Sequence, residues 1–194
     1  MPRITHLYAK ESKQLLVDEM IFSQKVISFF TTVPVALIII FGKEFFSFWV
    51  PNEDSYKLQI LSILSIIPLL IHGNMWSITG LNTVLNKVKI PSIALIGSGL
   101  INIFLCFITL DYIDKNLFII PLISSIISIL YYLFFIPIYA SEQLKIKKIT
   151  FYPTIVKSII FTLIFTIIGN YFKSFIVITT FYDLILWGGI FGVI

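Results

Sequence analysis

Four long segments without any Lys, Arg, Asp or Glu are the feature that most restricts how this chain can fold. They cover residues 26–42, 58–86, 90–110 and 116–141, and His72 is the only histidine within them. An α-helix of about 20 apolar residues crosses the roughly 30 Å hydrocarbon layer of a bilayer. Each segment therefore predicts a transmembrane helix.

Two further segments are nearly as apolar. Residues 149–172 contain one charge, Lys157, near the start, where a long side chain can reach the headgroups. Residues 174–194 contain Asp183, which lies in mid-membrane if the whole segment is one span and at the surface if the helix begins near Leu184. We favour the second placement. With 58% hydrophobic residues and a mean hydropathy of +0.98, the chain is predicted to be an all-α integral membrane protein with about six transmembrane helices.

The basic residues are distributed unevenly between alternate connections. Ten of the fourteen lie on one set of connections, which includes the N-terminus. They are Arg3, Lys10, Lys13, Lys25, Lys87, Lys89, Lys145, Lys147, Lys148 and Lys157. The positive-inside rule places this set in the cytoplasm. Because these charges are dispersed between apolar segments, the net charge of +4 does not indicate nucleic-acid binding.

The second span carries a row of polar side chains at helical spacing. His72, Thr79 and Asn82 share one helical face, and Asn74 lies beside them. A polar face is costly in lipid, so we expect it to point inward. It serves either as hydrogen-bonding contact between helices or as the wall of a transport pathway. Asn102 lies in the third span near small residues, a pattern that is typical of close helix packing.

Residues suited to catalysis are scattered. His6 and His72 are isolated from each other and from carboxylate pairs, and Cys106 is the single cysteine. The sequence thus predicts no catalytic group, no metal site and no cofactor. A membrane-embedded glycosyl or acyl transferase of envelope synthesis stays open as an alternative.

Three consecutive stretches carry a family resemblance. FSQKVISFFTTVPVALIIIFGKEFFSFWVP, the span ending GLNTVLNKVKIP and the next span, SIALIGSGLINIFLCFITL, resemble the C-terminal half of polysaccharide-biosynthesis flippases. These flippases belong to the multidrug/oligosaccharidyl-lipid/polysaccharide exporter superfamily. The resemblance implies a transporter that moves an undecaprenyl-linked glycan across the bacterial cytoplasmic membrane by alternating access. A multidrug or lipid II exporter is the alternative within the superfamily.

The resemblance also implies a domain organisation. Residues 1–25 would be a cytoplasmic amphipathic link, residues 26–141 four helices of the C-terminal lobe, and residues 142–194 two additional helices, truncated at the end. The expected partners are membrane lipid, the glycan substrate, and a missing N-terminal lobe or a second chain. Within this scheme His72, Asn74, Thr79, Asn82 and Asn102 are the candidates for the transport cavity.

Overall fold

The computed structural model describes residues 13–112 and 116–193, and in these residues all regular secondary structure is helical. Its helices are α1 (Lys13–Trp49), α2 (Ser55–Ile66), α3 (Leu69–Val84), α4 (Lys89–Tyr112), α5 (Ile119–Leu130), α6 (Ile136–Leu144), α7 (Tyr152–Lys173) and α8 (Phe181–Val193). Among these residues, five stretches are long and apolar enough to cross a membrane: α1, α2 with α3, α4, α5 through α6, and α7. The prediction of an all-α fold is confirmed for the described residues, and the length and composition of these stretches are compatible with several membrane-spanning helices.

Helix α1 is much longer than the first predicted span. It has 37 residues and a length of about 55 Å, so it extends well beyond the hydrocarbon layer. Residues 13–25, which the sequence places in a separate link, belong to the same helix as residues 26–42. Leu16, Val17 and Met20 are buried there, so this part of α1 packs into the bundle. Residues 1–12 of the predicted link lie outside the described residues.

The second span is interrupted at Pro68. Helix α2 ends at Ile66 and α3 begins at Leu69, with a turn between them. Proline has no N–H to donate and its ring clashes with the carbonyl one turn back. The next helix begins at this residue, because the Pro68 carbonyl accepts hydrogen bonds from the backbone N–H groups of Ile71 (3.0 Å) and His72 (2.8 Å). The predicted span over 58–86 is therefore two helices joined at a break.

A π-helical turn over Tyr131–Phe135 joins α5 to α6. The rings of Tyr131 and Phe135 stack with centroids 5.4 Å apart, and Phe135 stacks on Tyr139 at 5.7 Å. The Tyr131 hydroxyl donates to the Pro91 carbonyl at the start of α4 (3.0 Å). Such turns are rare and occur often at functional sites.

The last predicted span, 174–194, is wrong as a single helix. Helix α8 begins at Phe181 and has 13 residues, too few to cross a bilayer alone. Asp183 accepts hydrogen bonds from the backbone N–H groups of Thr179 (3.1 Å) and Thr180 (2.9 Å), which end the preceding non-helical segment. The Thr180 side chain and these N–H groups lower the pKa of Asp183, which lies outside the five spanning stretches. The favoured placement, in which the helix starts close to Leu184, fits the structure.

Helix α1 is the centre of the bundle and packs against α2, α3, α7 and α8. Helix α4 packs mainly on α5, and no Ile, Leu or Phe side chain of residues 89–110 is buried. A Cβ added at Gly97 or Gly99 would meet no atom within 4 Å. The close helix packing expected around Asn102 is therefore not made by these two glycines within the described chain.

Contacts between the connecting segments show which of them lie at the same end of the bundle. At one end the Lys13 ammonium donates to the Lys145 carbonyl (2.9 Å), and the Tyr139 hydroxyl donates to the Lys87 carbonyl (3.2 Å). At the other end Lys173 pairs with Glu44 (2.7 Å). Lysines predicted to be cytoplasmic thus lie together, as the positive-inside rule requires.

Cysteine labelling should test this topology. In a Cys106→Ser background, cysteines at Asn52 and Asn116 should react with an impermeant thiol reagent added to intact cells, whereas a cysteine at Ile149 should not. All three positions are exposed, so only the side of the membrane decides the reaction. Asn86 is a poorer choice because its φ of 52° strains any cysteine placed there. Labelling at Ile149 in intact cells would contradict the predicted orientation.

Candidate functional site

A polar cleft lies between the α2–α3 break and helix α5. We call it the His72 pocket; its volume is about 550 Å³. Its lining consists of Leu61, Ser65, Pro68, Leu69, His72, Ile120, Pro121, Ser124, Ser125 and Ser128. Four serine hydroxyls and one imidazole thus face a cleft whose remaining wall is apolar.

Two helix irregularities position His72. It follows Pro68 by one helical turn, and its ring stacks on Tyr132, in the π-helical turn, with centroids 4.0 Å apart and planes at 23°. Trp76 lies one turn further along α3, its ring centroid 6.1 Å from that of His72. The pocket therefore lies where two spanning stretches both depart from regular α-helix.

The serines differ in their hydrogen bonds. Ser125 donates to the Leu64 carbonyl of α2, and Ser65 donates to the Leu61 carbonyl of its own helix (2.8 Å). The Ser128 hydroxyl has no hydrogen-bond partner among the residues that the structure describes. Ser128 is therefore able to donate to a molecule in the pocket.

Asn102 reaches the pocket indirectly. Its amide nitrogen donates to the Ser124 hydroxyl (3.0 Å), which donates back to the Asn102 amide oxygen (3.2 Å). The Cys106 thiol donates to the same oxygen (3.4 Å). Asn102 thus links α4 to α5 and holds one of the lining serines.

Asn74 lies on a different side of α3, inside the bundle. It is fully buried, accepts a hydrogen bond from Ser28 of α1, and donates to the Leu70 carbonyl (2.5 Å). The single proton of the Ser28 hydroxyl is shared with the Gln24 carbonyl, which lies 2.6 Å from the same oxygen. Asn74 is therefore a hydrogen-bonding contact between α1 and α3.

Thr79 and Asn82 are not part of the His72 pocket. Thr79 is partly buried and donates to the Met75 carbonyl of its own helix (2.9 Å). Asn82 is 2% exposed, and neither amide atom has a hydrogen-bond partner in the part of the chain that the structure describes. An unpartnered buried amide is unusual because it costs free energy that folding must offset.

The structure thus brings His72 and, through Ser124, Asn102 to one place, and leaves Asn74, Thr79 and Asn82 elsewhere. Ser65, Ser125 and Tyr132 were not predicted from the sequence as neighbours of His72. The one sequence signal for this site is Pro68, whose helix break lies beside the α5 residues that line the pocket.

Ligands for a metal ion are not clustered: within 13–112 and 116–193 no three His, Cys, Asp or Glu side chains come together. Comparisons of the chain with family models, with curated proteins and with solved structures gave no match.

Proposed function

We propose that this chain forms one lobe of a membrane transporter that moves a lipid-linked oligosaccharide across the bilayer by alternating access. The observation that supports this most is the His72 pocket, a polar cleft at the point where two spanning stretches are irregular. In secondary transporters, substrate sites typically lie at such discontinuous helices. The sequence resemblance to polysaccharide-biosynthesis flippases points to the same class.

The chemistry of the pocket suits a neutral, hydroxyl-rich ligand. Serine hydroxyls both donate and accept hydrogen bonds, and a neutral imidazole does the same through its two nitrogens. The stacked rings of His72 and Tyr132 add a flat aromatic surface. Sugar rings present hydroxyls around their edges and apolar C–H groups on their faces, so they match this combination.

The two irregular turns would also allow movement. A proline break and a π-helical turn are places where a helix can bend without losing a full set of hydrogen bonds. His72 follows the proline break and Tyr132 lies in the π-helical turn, and their rings are stacked. A movement of one turn would therefore displace the other. We propose that a second lobe, as another segment or another chain, completes the cavity.

Matched serine substitutions test the proposal. Ser128→Leu places an apolar side chain in the pocket, whereas Ser98→Leu makes the same change on α4, where Ser98 bonds only to the Leu95 carbonyl (2.7 Å). In a strain without its own flippase, the chain should restore surface glycan when joined to a partner lobe. Ser128→Leu should lower this export about tenfold, a loss of about 1.4 kcal/mol of binding, and Ser98→Leu should not.

Membrane abundance of both variants is measured in parallel by immunoblotting. Equal export by the two variants would contradict a substrate pathway through the His72 pocket. Drug resistance without glycan export would favour a multidrug-type exporter, and export by the 194-residue chain alone would contradict the need for a second lobe.

A further inference from the structure

A second cleft lies between α1 and α7 and shares no residue with the His72 pocket. Its volume is about 460 Å³. Lys25 of α1 and Lys157 of α7 both line it. The other lining residues are Ile21, Ser28, Phe29, Thr32, Thr150, Pro153, Thr154, Ser158 and Phe161. We call it the two-lysine cleft.

The positive charge of this cleft is not neutralised by the described chain. Lys25 and Lys157 are exposed, and within residues 13–112 and 116–193 no carboxylate pairs with either. An adjoining cleft shares Ile21 and Thr150 with it. That cleft adds Lys13, Lys145 and Lys147 against a single acid, Asp18. Such a concentration of one sign of charge attracts anions.

Hydroxyl groups form the floor of the two-lysine cleft. Thr32 and Ser158 are hydrogen-bonded to each other (3.1 Å) and are buried. Thr154 is 7% exposed, and its hydroxyl has no hydrogen-bond partner among the described residues. This hydroxyl oxygen is not among the buried atoms without a partner, so it is accessible from the cleft. Thr154 therefore provides a free donor in the same cleft as the two lysines.

The cleft combines this polar end with an apolar wall. Lys25 directly precedes the charge-free segment 26–42, and Lys157 is near the start of the apolar segment 149–172. Phe29 and Phe161 follow them by one helical turn, further into the spans, and line the same cleft. A single lysine at this depth would only reach the headgroup layer. Two lysines on separate helices that line one cleft together with hydroxyl groups can bind an anion more specifically than a single lysine can.

We propose that the two-lysine cleft binds the phosphate group of a membrane lipid. Lys25 and Lys157 neutralise the phosphate, the Thr154 hydroxyl donates to one of its oxygens, and the acyl or prenyl chain lies along Phe29 and Phe161. Ammonium groups bind phosphate as point charges, so the site requires no further geometry. This proposal does not rest on the transport function, because the cleft would bind such a lipid whether or not the chain moves it.

Native mass spectrometry of the purified chain would test the site, after exchange from vesicles of phosphatidylcholine containing 10% phosphatidic acid. The double variant Lys25→Gln/Lys157→Gln should retain on the order of a hundredfold less phosphatidic acid, because two charge-assisted contacts with the phosphate are lost and not only two surface charges. The matched control Lys87→Gln/Lys89→Gln removes two exposed charges from the same end of the bundle and should retain the lipid. Thr154→Val keeps the side-chain shape and both lysines and should reduce retention several-fold.

Three results would overturn the proposal. Equal loss in both double variants would show non-specific attraction to the basic end of the protein. Full retention by both Lys25→Gln/Lys157→Gln and Thr154→Val would show that the lipid binds elsewhere. Displacement of the lipid by millimolar inorganic phosphate would assign the cleft to a soluble anion. If the double lysine variant does not fold, Thr154→Val alone decides, with full retention counting against the site.

Discussion

Replacing Gly169 with leucine should prevent α7 from packing against α1 and should destabilise the bundle more than any surface change. Gly169 is buried where α7 meets α1 and α8. A Cβ at this position would overlap the Cδ1 atom of Ile40, would lie 3.2 Å from its Cγ1, and would lie 3.7 Å from Phe191. Ile40 is 1% exposed and belongs to a core cluster with Phe41, so it has little room to move.

The size of this effect follows from overpacking. Adding carbon atoms to a well-packed interior typically costs about 1–3 kcal/mol, so Gly169→Ala should lie in that range and Gly169→Leu above it. The ion pair between Lys173 and Glu44 lies one turn further along α7 and joins the same two helices, so it should be strained as well. The measurement is the midpoint of thermal aggregation in detergent, followed by size-exclusion chromatography.

Gly97 provides the control for this substitution. It is also a helical glycine in a spanning stretch, but an added Cβ would meet no atom within 4 Å. Gly97→Leu should therefore change the free energy of unfolding by no more than the roughly 0.5 kcal/mol that surface substitutions typically produce, and the thermal midpoint should change little. Equal shifts for Gly97→Leu and Gly169→Leu would contradict the packing of α7 on α1.

The spans were predictable because the free energy of inserting a helix into a membrane depends mainly on the length of its apolar segment. A run of about 20 residues without charge has one low-energy environment, whatever packs around it. The start of α1 was misplaced, because Lys13, Asp18 and Lys25 interrupt the apolar pattern while the helix continues through them. Apolar length alone would also include residues 174–180, which form a non-helical connection held by Asp183, whereas the favoured helix start near Leu184 leaves them out.

The site was less predictable because periodicity assigns a face but not a neighbour. The spacing of His72, Thr79 and Asn82 places them on one face of α3, yet His72 lines a cleft while Asn82 is buried without a partner in the described chain. Likewise, Lys25 and Lys157 line one cleft only because two helices far apart in sequence pack together. Such information is absent from the pattern of either helix.

The two buried asparagines of α3 should respond in opposite directions to the same substitution. Asn74 is hydrogen-bonded to Ser28 and to the Leu70 carbonyl, so Asn74→Leu removes a contact between α1 and α3. Two buried hydrogen bonds, each worth about 0.5–1.5 kcal/mol, are lost, so the cost should be about 1–3 kcal/mol even though Ser28 keeps the Gln24 carbonyl as an acceptor. The thermal midpoint of this variant should fall.

Asn82→Leu should instead raise the thermal midpoint. Both amide atoms of Asn82 are buried without a partner in the described part of the chain, so the native residue carries an uncompensated loss of hydration. A leucine of similar volume removes that loss, and the gain should also be about 1–3 kcal/mol. Both variants replace a buried amide of α3 by leucine, so each serves as a control for the other.

The sign of the Asn82 effect separates the two roles that the polar face of α3 allows. A higher midpoint with reduced glycan export would identify Asn82 as a group retained for transport at the expense of stability, a common relation at functional sites. A lower midpoint, equal to that of Asn74→Leu, would show that Asn82 has a partner in the assembled protein and holds helices together. In that case His72 and Thr79 would be the candidates on α3 that remain for the wall of the proposed pathway.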